Sequence, residues 1–171
     1  MSLDSLDKLF LEELKDVYNA EKQIVRALPR MAKAAESQEL QRAFTSHLKE
    51  TQGHVQRLER IFKNLDHPAR GKKCKGMEGL LEEGKEILEQ EGEGAVIDAA
   101  LISAAQRVEH YEIAAYGCLR TYAQLLGYSQ AEKLLQQTLA EEEAADKKLT
   151  QIGESGVNNA AVAAGAGMEK E

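Results

Sequence analysis

The sequence holds few of the residues that mark disulfide-stabilised or membrane proteins. It has two cysteines, two prolines and no tryptophan among 171 residues. Two cysteines cannot build a disulfide framework, so we expect a reducing compartment, the cytoplasm. No apolar run approaches the ~18 residues of a membrane helix. The start, Met1–Ser5, lacks the basic region and apolar core of a signal peptide. We therefore expect neither a membrane partner nor export.

Basic charge is also scarce. Lys and Arg total 22 against 29 Asp and Glu, which gives a net charge of −7. A broad basic face for nucleic acid is therefore excluded, and we expect no nucleic-acid partner. The acidic excess is the feature that needs an explanation, because it can lie on the surface or partly inside the fold.

The residues that are abundant favour long helices, since Ala, Leu, Glu, Gln and Lys are strong helix formers. Apolar residues recur at steps of three and four along most of the chain, the period of a helix with one buried face. Pro29 falls inside the first such pattern and is expected to kink that helix without ending it. The pattern predicts four long helices, at about 5–35, 37–65, 95–126 and 130–152, and a short one at about 77–90.

The connections between these helices indicate their arrangement. The first two and the last two are joined by short turns, and residues 66–93 link the two hairpins. One long crossover between two antiparallel hairpins is typical of an all-α, ferritin-like four-helix bundle. We therefore predict one domain over residues 1–152. Residues 153–171 are small and polar with no apolar stripe, and they are expected to form a flexible C-terminal tail.

Acidic residues interrupt the apolar stripe of every long helix near its middle. An inward carboxylate without a partner costs several kcal/mol, so such residues need a cation or hydrogen bonds. Spacings of three or four residues place each pair on one helix face. Distances to the two turns also place all of them at one height in antiparallel hairpins. The candidates are Glu21; Glu50 and His54; Glu109 and Glu112; and Glu142 and Asp146.

This set predicts a carboxylate-bridged site for two metal ions. Six carboxylates and one imidazole favour iron or manganese over zinc, which prefers thiolate and imidazole in structural sites. The opposing interpretation is that each acid or Glu–His pair lies at the surface, as single ones usually do. Among neighbours, Glu141 and Glu143 are expected in solvent and Cys118 in the core. His47 is a candidate for supporting a ligand rather than binding metal.

Four segments resemble the YciE/YciF group of bacterial stress proteins, and the resemblance spans about residues 5–152. They are Tyr18–Gln23, His47–Thr51, Cys74–Leu80 and, most specifically, Val108–Gly117. This resemblance implies a ferritin-like fold, a dimetal site and a homodimer, but no established activity.

Within the wider superfamily, the Glu109/Glu112 pair resembles that of rubrerythrins, in which both glutamates can ligate. Two departures stand out. The usual Glu-x-x-His becomes Glu50-x-x-x-His54, and Asp146 replaces a usual second His. An extra carboxylate makes the site more anionic, which favours the oxidised metal.

Three functions remain open from the sequence. The first is a dimetal protein that oxidises Fe(II) with O₂ or consumes peroxide in stress protection. The second is a non-enzymatic dimeric module whose metals are structural or absent. The third is binding through the acidic surface or the basic segment Arg70–Lys75. If all six acids lie inside, the remaining charges nearly cancel, so the first function predicts that these residues face inward.

Overall fold

The computed structural model describes residues 3–168, and these are almost entirely helical. The helices are α1 (Leu6–Ala34), α2 (Gln38–Asn64), α3 (Lys75–Leu88), α4 (Gly94–Leu125), α5 (Ser129–Ile152) and α6 (Asn158–Met168), with a π-helical turn at Gly153–Val157. The all-α bundle prediction is confirmed, with the first five helices ending within about two residues of the predicted bounds. Pro29 lies inside α1, as expected. Within residues 3–168, no helix is long and apolar enough to cross a bilayer.

The helix ends are fixed by hydrogen bonds that the local sequence supplies. Ser5 and Ser37 accept bonds from the backbone N–H groups of the first turns of α1 and α2. Asp98, buried on α4, accepts the backbone N–H groups of Glu36 and Ser37 at 2.9 and 2.7 Å. Gly127 has a φ of 76° in the turn between α4 and α5. This left-handed conformation suits glycine and ends α4.

The core is divided into two apolar clusters at opposite ends of the bundle. One includes Ile24, Phe44 and Leu149 and lies toward the α1–α2 turn. The other includes Phe10 and Leu135 and lies toward the α4–α5 turn. The layer of predicted metal ligands lies between these two clusters, so apolar side chains pack on both sides of it along the bundle axis.

The C-terminal segment differs from the predicted tail. Residues 153–168 continue as the π-helical turn and α6, which contact α4. Val157 is buried in the apolar cluster of Ile24 and Phe44, so part of the segment predicted as a flexible tail packs against the core. Val157 is one buried apolar residue without others at a spacing of three or four, so the hydrophobic pattern does not predict its burial. Residues 169–171 of the predicted tail lie outside the described residues.

Candidate metal centre

Six ionisable side chains are buried together between the two apolar clusters. None of them is more than 6% exposed. All four long helices contribute, so the cluster joins the two hairpins. The members are Glu21 from α1, His47 and His54 from α2, Glu109 and Glu112 from α4, and Glu142 from α5.

Their ligand atoms form two overlapping groups. The first group is His47, Glu109, Glu112 and Glu142, and the second is Glu21, His54 and Glu142. Within each group, one nitrogen or oxygen per residue lies within 4.8 Å of all the others. Metal–ligand bonds of about 2.0–2.6 Å can span such a group. The buried cluster could therefore hold a metal ion.

Glu142 belongs to both groups because its two oxygens face different imidazoles. Its Oε1 lies 2.9 Å from His54 Nδ1, and its Oε2 lies 3.6 Å from His47 Nε2. A carboxylate placed in this way can give one oxygen to each of two ions. Glu142 is thus the residue that the two groups of ligand atoms share.

The polar atoms of the cluster are those that a cation would satisfy. Among the described residues, eight buried atoms of these six side chains have no hydrogen-bond partner. They include both oxygens of Glu112 and of Glu142, together with His47 Nε2 and His54 Nδ1. His54 Nδ1 approaches Glu142 closely but without hydrogen-bond geometry. Buried polar atoms are rarely left unpaired, so the donor set fits a metal.

His54 is held from outside the cluster by a carboxylate. Its Nε2 lies 2.9 Å from Glu141 Oε2, and Arg57 donates to both Glu141 oxygens at 2.5 and 2.8 Å. With Nε2–H donating to Glu141, His54 directs Nδ1 toward Glu21 and Glu142, where a metal ion would take the place of the Nδ1 proton. A histidine that ligates metal is commonly oriented by a carboxylate in this way.

His47 has a similar, weaker arrangement. Its Nδ1 lies 3.4 Å from Glu50 Oε2, while its Nε2 faces Glu109 Oε1 at 3.3 Å. Glu50 is largely outside, with its side chain 44% exposed. The geometry therefore gives His47 the inward position and Glu50 the supporting one.

Tyr116 is a further polar neighbour of the cluster. It is fully buried on α4, and its hydroxyl donates a hydrogen bond to Glu21 Oε1. Its ring also packs edge-on near His54. Tyr116 therefore fixes one oxygen of Glu21 and leaves the other, Oε2, for a cation.

Burial and mutual repulsion shift the pKa values of the ionisable groups in the cluster. Burial, followed by repulsion from neighbouring carboxylates, raises the pKa values of Glu109 and Glu112 well above their usual range. Burial likewise raises the pKa of Glu142. Burial alone would lower the pKa of His54, but Glu142 and Glu21 outweigh it and raise that pKa to about 11. Positive charge is therefore strongly favoured here.

The structure brings together five of the seven residues predicted as metal ligands. Glu21, His54, Glu109, Glu112 and Glu142 converge as the helix phases indicated. Glu50 and Asp146 are in neither group. The expectation that six carboxylates face inward is wrong, because four do.

Asp146 lies at the edge of the helix face on which Glu142 is buried. It accepts a hydrogen bond from Gln106 at 3.1 Å and lies 3.4 Å from His110. Two neighbouring expectations also fail. Glu141 turns toward His54 instead of solvent, and Cys118 is exposed instead of being in the core.

Sequence reasoning underrated His47 because it placed the buried face of α2 slightly out of phase. The residues that face inward are Phe44, His47, Thr51, His54 and Leu58. Steps of three and four join them, so a search for histidines seven residues apart on one stripe would have found the pair.

Comparisons with known proteins place the chain in a family. The family model described as a domain of unknown function, DUF892, matches residues 5–162. Protein YciF of Escherichia coli is 45% identical over 162 residues, covering 94% of this chain and 98% of YciF.

Solved structures show the same relationship. The crystal structure of the E. coli stress protein YciF has a TM-score of 0.88 and 45% identity, with 91% of this chain and 99% of that chain covered. YcfI of Rhodopseudomonas palustris, whose description suggests a structural role, has a TM-score of 0.84 and 41% identity, covering 88% and 97%. A Xanthomonas campestris protein at 21% identity and a TM-score of 0.69 shares the fold. The chain therefore belongs to the DUF892 family of YciF-like stress proteins.

Proposed function

We propose that this protein binds two iron or manganese ions in the buried cluster and that iron there reacts with O₂ or peroxide, in protection against oxidative stress. The observation that carries the proposal is Glu142, whose two unpartnered oxygens face two separate sets of ligand atoms. The oxygen-rich donor set with two imidazoles suits these metals. Two bound Fe(II) ions would supply the two electrons that, with two protons, reduce hydrogen peroxide to two waters.

The residues of the chain have separable roles in this proposal. His47, Glu109 and Glu112 would hold one ion, and Glu21 and His54 would hold the other, with Glu142 shared. Glu141 and Tyr116 orient ligands through hydrogen bonds. Because the two flanking clusters are apolar, they shield the site from water along the bundle axis.

Metal analysis with a matched pair of variants tests the proposal. The wild type is loaded anaerobically with Fe(II), exposed to O₂ or H₂O₂, and followed by absorbance. We expect about two metal ions per chain and an oxidant-dependent spectrum, both lost in Glu142→Ala and kept in Glu143→Ala. Glu143 is exposed on the same helix and serves as the control. One ion per chain would contradict the dinuclear site, and a spectrum insensitive to both oxidants would contradict the activity.

A second candidate function is a structural module in which metal joins the hairpins. The cluster ties four helices between two apolar clusters, which favours this role, and the description of the R. palustris relative agrees with it. Both functions predict a lower melting temperature after chelation. Turnover of peroxide or Fe(II) oxidation separates them, since the structural role predicts neither.

We further propose that the protein is a cytoplasmic homodimer, as the family resemblance implies. Leu125 and Val162 are large apolar residues that are more than 70% exposed, and they are candidates for a contact between copies. Light scattering coupled to gel filtration would give twice the chain mass for a dimer. The chain mass of 18.9 kDa would contradict it.

A further inference from the structure

A large apolar cavity lies beside the cluster, in the half of the bundle nearer the α1–α2 turn. Its volume is about 640 Å³, within the range of sites that enclose a small organic molecule. Its apolar walls are formed by side chains from α1, α2, α4 and α5, together with Leu81 of α3. They include Ile24, Leu28, Met31, Phe44, Val108 and Leu149.

The inner end of this cavity is formed by the cluster itself. His47 and Glu109 belong both to the cavity wall and to the first group of ligand atoms. His47 Nε2 and Glu109 Oε2 are unpartnered there. An apolar chain in the cavity would thus bring a polar end group to the cluster.

The outer end opens between α2 and α5 and is polar. Arg42, Ser46 and Lys148 line it, and the Lys148 ammonium pairs with Glu39 across the two helices at 2.6 Å. This pair is half exposed, so opening it is inexpensive. The cavity is therefore polar at its opening to solvent, apolar along its middle, and polar again where it reaches His47 and Glu109.

We propose that this cavity binds the hydrocarbon chain of an organic hydroperoxide and presents its peroxide group to the metal centre. The inference rests on the proposed function and names its substrate class. Hydrogen peroxide has no apolar part, so it would gain nothing from an apolar cavity of this size. A hydrocarbon chain would gain about 25 cal/mol for each Å² that it buries.

Reduction of an organic hydroperoxide needs two electrons, the same number that two Fe(II) ions would supply to hydrogen peroxide. The hydroperoxide O–O bond breaks as the substrate takes one electron from each of two Fe(II) ions, which become Fe(III). Two protons from solvent complete the products, an alcohol and water. The alcohol retains the hydrocarbon chain, so an unreactive alcohol is a suitable probe of the cavity.

Binding of n-octanol to the protein as purified tests the cavity apart from turnover. Calorimetry is used because the chain lacks tryptophan. Ala105→Leu adds volume to the buried wall on α4, and Ala27→Leu does so on α1, in case the first variant fails to fold. Ala114→Leu, exposed on α4, is the control. We expect octanol to bind the wild type and the control, and to bind either filled variant at least about tenfold more weakly at equal metal content.

The outcomes separate the inference from the proposed function. Octanol that does not bind the wild type, or that binds the filled variants equally well, overturns the inference even if H₂O₂ is consumed. If octanol binds as expected, cumene hydroperoxide should oxidise the Fe(II)-loaded protein with a higher second-order rate constant than H₂O₂ does, and Ala105→Leu should remove that preference. Binding without consumption of either peroxide overturns the proposed function and the hydroperoxide assignment with it.

Discussion

The Nε2 atom of His54 lies 2.9 Å from Glu141 Oε2, on the side of the ring that faces away from the buried cluster. Glu141 is held in turn by two hydrogen bonds from Arg57. Burial acts to raise the pKa of Glu141, but the hydrogen bonds from Arg57 and His54 lower it on balance. Glu141 therefore stays ionised and keeps Nδ1 of His54 directed inward, where a metal ion would displace its proton.

Removing Glu141 should weaken metal binding although it is not a ligand. We expect Glu141→Ala to lower the affinity for metal by about 10–100-fold, the usual effect of losing a carboxylate that orients a ligating histidine. A competitive chelator titration measures this. Glu143→Ala, on the exposed side of the same helix turn, should bind metal like the wild type. Equal affinities for the two variants would contradict the role of Glu141.

Under the proposed function, variants of His47 and Glu50 decide which of these two α2 residues is a metal ligand. Because His47 Nε2 faces Glu109 and Glu142, His47→Ala should lose most of one metal equivalent per chain. Glu50→Ala removes only a long contact to His47 Nδ1 and should keep the stoichiometry with a modest loss of affinity. Elemental analysis after dialysis gives both numbers. Loss of metal in Glu50→Ala but not in His47→Ala would restore Glu50 as the ligand.

These two residues also show how far the sequence predicts the site. The helices, their pairing and the height of the acidic layer follow from periodicity and connection lengths. The rotation of α2 about its axis does not follow from them. Leu48 and Val55 lie at the edge of the stripe and are apolar, so the pattern alone does not decide whether they or His47 and Thr51 occupy the buried face. A rotation of less than one residue step exchanges Glu50 for His47.

Glu141 and Val157 were unpredictable for a different reason. The inward turn of Glu141 depends on Arg57 and His54, which lie more than 80 residues earlier in the chain. Val157 is buried because the π-helical turn and α6 continue from α5 and keep contact with α4. Both effects are tertiary, and a pattern local to one helix does not contain them.

Tyr116 offers a test of how the cluster affects stability. Its hydroxyl satisfies Glu21 Oε1, so Tyr116→Phe leaves a buried carboxylate oxygen without a partner. We expect the free energy of unfolding of the chelated protein to fall by about 1–3 kcal/mol. Tyr128→Phe removes a comparable tyrosine–carboxylate bond, to Asp7, near the surface. Urea unfolding should show a smaller loss for that control, and equal losses would contradict the burial argument.

Asp98 should be among the largest polar contributors to stability outside the cluster. It is 2% exposed and accepts two backbone N–H groups at the start of α2. Asp98→Ala should lower the free energy of unfolding by about 1–3 kcal/mol, because two part-buried backbone N–H groups lose their acceptor. Asp98→Asn keeps one acceptor oxygen and should lose less. Urea unfolding that ranks the asparagine variant with or below the alanine variant would contradict this account.

The stability of the protein should fall at alkaline pH in part through Tyr18. Burial, together with the 2.8 Å hydrogen bond to Glu59, raises the pKa of Tyr18 to about 12. In the unfolded chain a tyrosine loses its proton near pH ~10. Between these values the folded state binds more protons than the unfolded state, so its stability decreases as pH rises. The contribution is fully present below pH ~10 and is lost through pH ~12, up to about 2 kcal/mol.

Tyr18→Phe loses the hydrogen bond at every pH but has no proton to lose. The free energy of unfolding of the wild type should therefore fall more steeply over this range than that of the variant, and parallel curves would show that Tyr18 titrates normally.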